Sequence, residues 1–245
     1  MPKKITNELV NFYETTEVKK LMKKHDNPNF DLHNIKLPFR MAVVSQSGGG
    51  KTNFVMNLIN LFSKGKGTFW HIYIYHKIEE PLYDYLKEKC KDKITFYKKS
   101  SEVPECRTLK PVDETDDSPA LFIFDDCIND KNQDKINDYF TYGRKALNNT
   151  GISCIYIAQK YFKINTTIRG QLNYIILLKI RGSKDLNLIL RDNDIGIDIE
   201  DFKDIYKDAT TDDLNFLKID CSTRDDNKVL SKNFTDYYDI AELIE

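Results

Sequence analysis

Three glycines followed by a lysine and a threonine, Gly48-Gly49-Gly50-Lys51-Thr52, are the residues of this chain best suited to chemistry on phosphates. A polyphosphate can be held without bulky side chains when successive backbone N–H groups point inward from a glycine-rich turn at a helix N-terminus. The glycines let the backbone come close, so Ser47, Gly48, Gly49, Gly50, Lys51 and Thr52 are the candidate nucleotide-binding residues. Lys51 would reach the β- and γ-phosphate oxygens of a triphosphate such as ATP, and the Thr52 hydroxyl would supply one ligand to a bridging Mg²⁺ ion. Ser45 stands where the pattern G-x-x-x-x-G-K-[ST] has its first glycine, a departure by one small residue.

A second group lies downstream, where the apolar run Leu121-Phe-Ile-Phe ends in Asp125 and Asp126. Asp125 would join Thr52 in holding the metal, and Asp126 would orient and deprotonate an attacking water. Many hydrolysing P-loop proteins have glutamate at the second position, so Asp126 is about one methylene shorter in reach, which points to slow turnover. Gln159 ends another apolar run, Ile155-Tyr-Ile-Ala, and would sense the γ-phosphate from a neighbouring strand. Charge spread over a transferred phosphoryl group is best met by a guanidinium, and Arg144, Arg169 and Arg191 are the candidates, with Arg144 the first choice.

These residues need a scaffold that brings strand ends together. Phe39 to Val44 reads as a buried strand, and Val55, Leu58, Ile59 and Phe62 then recur at helical spacing, ended by Gly65 and Gly67. Strands are expected at Thr68–Tyr75, Ile94–Tyr97, Ala120–Phe124, Ile152–Ala158 and Asn173–Ile180, with helices over 79–91 and 131–147. Strands that are apolar along their whole length and alternate with helices predict an α/β fold, a mostly parallel central sheet covered on both faces. The segment 9–25 reads as a short helix with a basic end at Lys19, Lys20, Lys23 and Lys24. A loop over 100–119 carries three prolines and the acidic run 113–117, and the tail after 197 holds two helices and the strand Phe216–Asp220, whose place in the sheet is not readable. The expected division is an N-terminal arm at 1–35, a core at 36–192 and an acidic segment at 193–245 packed on that core.

Composition narrows the class. At 245 residues, one α/β domain is the default. No run approaches the ~18 uninterrupted apolar residues of a membrane span, and the first residues lack a signal-peptide pattern. The five cysteines are scattered, without a disulfide or zinc pattern, and His71 and His76 read as structural. Basic residues outnumber acidic ones by 31 to 22 through residue 191, whereas the remainder holds six against 16. That asymmetry fits a body that meets a polyanion and an acidic segment that guards it, and equally two ordinary solvated faces.

Taken in order, SQSGGGKT, LFIFDDC, GRKALNNTGISCIYIAQ and TIRGQLNYIILLK resemble the FtsK-HerA superfamily of P-loop translocases, and more narrowly the genome-packaging ATPases of poxviruses and other large DNA viruses. In size the chain is most similar to the virophage members, and the resemblance covers about residues 36–192. It implies a RecA-like P-loop fold, ATP hydrolysis with Mg²⁺ between subunits of a homo-oligomeric ring, and double-stranded DNA driven into a preformed capsid. The implied setting is the host-cell cytoplasm, in a viral factory or virion, with docking to a capsid or membrane-associated vertex component by a chain that does not itself span the membrane. By position Lys51 and Thr52 match the phosphate and metal residues, Asp125 and Asp126 the acid pair, Gln159 the sensor and Arg144 the arginine. Two other readings stay open: a small P-loop kinase, and a nucleotide-gated assembly scaffold with little turnover. Candidate DNA contacts are Lys160, Lys163, Lys179 and Arg181.

Overall fold

The computed structural model describes residues 10–21, 26–110, 118–130, 133–147, 149–241 and 243. Among these residues nine strands form one sheet: β1 (Arg40–Val44), β2 (His71–His76), β3 (Ile94–Tyr97), β4 (Ala120–Asp125), β5 (Ile152–Ala158), β6 (Tyr174–Leu177), β7 (Leu217–Asp220), β8 (Leu230–Lys232) and β9 (Asp236–Tyr237), in the order β3-β2-β4-β5-β1-β6-β7-β8-β9. The first six run parallel and the last three antiparallel. The fold is the α/β fold with a mostly parallel sheet that the strand pattern predicts.

Helices cover both faces. In chain order they are α1 (Thr16–Leu21), α2 (Phe30–His33), α3 (Lys51–Phe62), α4 (Pro81–Lys89), α5 (Gln133–Tyr142), α6 (Thr166–Arg169), α7 (Lys184–Asn193) and α8 (Ile199–Ala209). Side chains alternate across a strand, so β1 sends Met41 and Val43 to one core and Ala42 and Val44 to the other. The predicted stripe of α3, Val55, Leu58, Ile59 and Phe62, packs into the first core, and Ile136, Tyr139 and Phe140 of α5 pack into the second. Leu58 is fully buried, and truncating it to alanine would cost about 2–5 kcal/mol.

The elements depart from expectation at their ends, for local reasons. The helix after β4 stops at Tyr142 and tightens into a 3₁₀ turn, Gly143–Lys145, because Gly143 lies against β5: a Cβ there would stand 3.3 Å from the Ile152 carbonyl. β6 leaves the ladder after Leu177 because the Tyr206 hydroxyl, on α8, donates to the Leu178 carbonyl and accepts from the Ile180 N–H, both at 2.9 Å. The long loop is pinned to α5 in its first half, where the Lys135 ammonium and the Tyr139 hydroxyl donate to the carbonyls of Val103 (2.9 Å) and Pro104 (2.8 Å). Its acidic run 113–117 lies outside the described residues, as do Lys23 and Lys24 of the N-terminal segment. That segment forms a 3₁₀ turn, Phe12–Glu14, and then α1. The tail strand finds its place beside β6, antiparallel, with Leu177 opposite Leu217. No helix among the described residues is long and apolar enough to cross a membrane.

Candidate functional site

The glycine-rich turn closes the C-terminal end of β1 and opens α3. Gly50 caps the helix at φ 84° and Gly48 sits at φ 71°, left-handed backbone that residues with a Cβ rarely adopt. Ser45 is fully buried beneath the turn, its hydroxyl 3.0 Å from the Gly49 carbonyl and 2.9 Å from the Lys179 carbonyl. A Cβ on Gly49 would fall 2.0 Å from that hydroxyl oxygen. The serine therefore braces the loop from below, and a side chain at position 49 would have to push its hydroxyl aside. Lys51 curls back over the turn and donates to the carbonyls of Ser45 (3.1 Å) and Gln46 (2.9 Å). Burial pulls its pKa down, while Asp125 and Asp126 pull it back up.

Facing this turn, β4 ends in the two carboxylates. In register, Asp125 lies beside Ile157 of β5 on one side and His76 of β2 on the other, so three strand ends meet at one level. Burial raises the Asp125 pKa; the Tyr83 hydrogen bond lowers it, Asp126 raises it and Lys51 lowers it. Tyr83, on α4, is itself buried and donates its hydroxyl to Asp125 Oδ2 at 2.8 Å. The Tyr83 ring stands edge-on to His76, with centroids 4.8 Å apart. Asp126 is exposed and takes left-handed backbone, φ 52°, a conformation that aspartate tolerates better than most residues.

Together these walls enclose a cleft of about 350 Å³. The turn from Ser47 to Thr52, both aspartates and Gln159 line it, so the structure brings every sequence-predicted residue except the arginines to one place. The far wall, from His76 to Glu80 at the end of β2, and the Tyr83 clamp behind it were not anticipated. The rule that parallel strands converge on a ligand at their carboxyl ends points to the end of β2 as soon as β2 is known to pair with β4. Nothing in the sequence marks Tyr83. His76 is thus part of the cleft wall, whereas His71 bonds Thr95 at 2.8 Å as a structural residue.

None of the three arginines lines this cleft. Arg144 is exposed on the 3₁₀ turn that abuts the start of β5, at the opposite end of the sheet from the phosphate loop. Arg169 is mostly buried, paired with Asp192 at 3.5 Å and set over the Tyr161 ring. Arg191 is exposed and approaches the same aspartate at 3.5 Å. Lys160 and Arg181 flank a neighbouring groove that also contains Gln159, and Arg181 donates to the Gln46 side chain at 2.7 Å.

As to chemical fit, Thr52 and Asp125 offer two hard oxygen ligands, the few that Mg²⁺ takes from protein when phosphates complete its shell. The open space over Gly48, where an added Cβ would meet nothing within 4 Å, leaves room for the anion.

Comparison with known proteins gives a family and a fold. The family described as "Poxvirus A32 protein" matches residues 28–233. No curated protein matches the chain. Among solved structures, the genome packaging NTPase B204 of Sulfolobus turreted icosahedral virus 2, in complex with ATP-gammaS, is 14% identical with a TM-score of 0.53, covering 81% of this chain and 98% of its own. B204 of Sulfolobus turreted icosahedral virus, a DNA-packaging ATPase, is 12% identical with a TM-score of 0.52, covering 85% and 98%. At such identities the likeness speaks for the fold, and it extends over nearly the whole of both relatives.

Proposed function

This chain belongs to the poxvirus A32 protein family, and on that premise we propose that it is the ATP hydrolase of a genome-packaging motor, moving double-stranded viral DNA into a preformed capsid. The observation that carries this reading is the convergence of the glycine turn, the two aspartates and Gln159 on one cleft at the carboxyl ends of β1, β4 and β5.

In this reading the turn's N–H groups and Lys51 hold the β- and γ-phosphates of ATP. Thr52 and Asp125 hold Mg²⁺, which when bound neutralises charge developing on the phosphate oxygens. Tyr83 fixes the Asp125 carboxylate. Asp126, exposed at the cleft mouth, orients a water and takes its proton, and Gln159 contacts the γ-phosphate or that water. Arg144, which does not line the cleft of its own chain, serves a neighbouring subunit's cleft in a ring, where an arginine finger is worth about 10³–10⁵ in rate. The ring docks on a capsid or membrane-associated vertex component in the viral factory of the host cytoplasm.

Hydrolysis measured on an assembled preparation tests this. Turnover should rise several-fold with duplex DNA and vanish in Lys51→Ala. Turnover indifferent to DNA in a preparation proven to assemble would overturn the motor, and phosphorylated nucleoside monophosphate as product would favour a kinase.

A further inference from the structure

Phosphoryl transfer spreads charge over the oxygens of the moving group, and a guanidinium is the side chain best shaped to meet it. Of the residues lining the cleft, Lys51 and Lys77 are the cations, and Lys77 is engaged with Asp130 at 3.4 Å. The cleft opens into the neighbouring groove, because Ser47 and Gln159 line both. Gln159 is the residue assigned to the γ-phosphate, so the two spaces join at the γ end. Arg181 lines the groove there.

Arg181 is built onto the phosphate loop. The Lys179 carbonyl accepts the Gln46 N–H at 3.0 Å and the Ser45 hydroxyl at 2.9 Å. Two residues on, Arg181 Nε donates to Gln46 Oε1 at 2.7 Å. These three bonds hang residues 179–181 on Ser45 and Gln46, immediately before Ser47. Gln46 thereby touches two cations of the site: its carbonyl accepts from Lys51 at 2.9 Å and its side chain accepts from Arg181. An arginine can commit Nε to the protein and still present a fork of two Nη groups to a ligand, which a lysine cannot do. Asp185, the acid that lines the groove, is turned inward, 4% exposed and accepting the Phe162 N–H at 2.9 Å.

We propose that Arg181 is a catalytic arginine acting in cis: tethered through Nε to Gln46, it bonds the γ-phosphate oxygens of the nucleotide on its own chain through its Nη groups. The proposal rests on the nucleotide reading of the cleft. Water attacks the γ-phosphorus while its proton passes to Asp126; the bond to the bridging oxygen breaks, and its electron pair leaves with ADP. Arg181 meets the charge on the oxygens of the transferred group during that passage. Arg144, brought by a neighbouring subunit, adds to it in the assembled ring.

The test separates transition state from ground state on the full chain. Affinities are measured for the Mg²⁺ complexes of a non-hydrolysable ATP analogue and of ADP with aluminium fluoride, which imitates the phosphoryl group in transfer. Arg181→Ala, at an exposed position, should bind the first within about threefold of wild type and the second at least about thirtyfold more weakly, with turnover down by about 10² or more. Millimolar guanidinium ion should restore part of that turnover. Gln46→Leu, which cuts the tether and keeps the arginine, should lose about tenfold in turnover and gain nothing from guanidinium. Equal weakening of both complexes in Arg181→Ala would reduce the arginine to a brace of the loop. Both complexes bound as in wild type, with only stimulation by duplex DNA lost, would make it a DNA contact. Turnover recovered on mixing Arg181→Ala with Lys51→Ala chains would place it in trans. Each of these results overturns the proposal and leaves the phosphate cleft standing. Failure of the wild type to bind either complex would instead remove the nucleotide reading and this proposal with it.

Discussion

On the side of the phosphate loop toward β4 and β2, the groups are ionisable and tightly held: Asp125 is half-buried under the Tyr83 hydroxyl, and Asp126 has left-handed backbone costing about 1 kcal/mol. On the side toward β7, rings and amides meet with no charged side chain inside the groove between α3 and the tail except Asp213. The first flank can stabilise changing charge and move a proton. The second offers apolar surface and amides instead. The difference is one of construction as well: parallel strands in fixed register build the first, and an antiparallel tail added beside β6 builds the second.

If chemistry resides on the acid flank, Asp126→Asn should lower turnover by about 10²–10⁴ and leave Mg-ATP affinity within threefold, measured by steady-state hydrolysis and calorimetry. Loss of affinity in parallel with turnover would break the division between the flanks. The loop that both flanks share is tested by Gly49→Ala, whose Cβ would strike the Ser45 hydroxyl. Overpacking of this kind costs about 1–3 kcal/mol, so ATP binding should weaken by about tenfold or more. Gly49 has no left-handed φ, and adding Ser45→Gly should therefore restore most of the loss; a double variant as weak as the single one would contradict the brace. Tyr83→Phe keeps the ring and removes the hydroxyl on Asp125 Oδ2. The Mg²⁺ concentration for half-maximal binding, read with Mn²⁺ as a spectroscopic probe, should rise about tenfold, with tripolyphosphate affinity in the absence of metal unmoved.

The smallest effect concerns α3, the helix common to both sides. His33 is buried against Phe62 near the end of α3, with ring centroids 4.4 Å apart, and its Nδ1 accepts the Ile35 N–H at 2.9 Å. Burial, with Lys218 adding to it, lowers the pKa to about 4 from the ordinary 6.5. The folded protein then binds fewer protons than the unfolded chain between those values. The stability involved is fully present above pH 6.5 and is lost as pH falls toward 4, at up to about 1.4 kcal/mol per pH unit. Thermal melts should show that slope, and His33→Asn should flatten it.

The acid flank was legible because its residues sit at the ends of apolar runs, which fix both strand and position. Asp125 and Gln159 each follow such a run directly and Lys51 follows one across the glycine turn, so the parallel-sheet rule brings them together. Tyr83 was hidden because it is a helix residue whose partner is 42 positions away, with no motif between them. The groove toward β7 was hidden for a stronger reason. Asn57 and Phe216 are ordinary residues on a helix and a tail strand, and only the antiparallel pairing of β7 with β6 makes them neighbours. Ser45 was seen as a departure from a pattern, yet its function in bracing Gly49 depends on side-chain packing that no spacing encodes.

Calorimetric titration of Mg-ATP into the wild type and Lys51→Ala tests the central claim most directly, that a triphosphate and its metal are gripped between the glycine turn and the paired aspartates. One nucleotide should bind per wild-type chain, and Lys51→Ala should bind at least a hundredfold more weakly. No uptake by folded wild-type protein, or equal uptake by both, would contradict it.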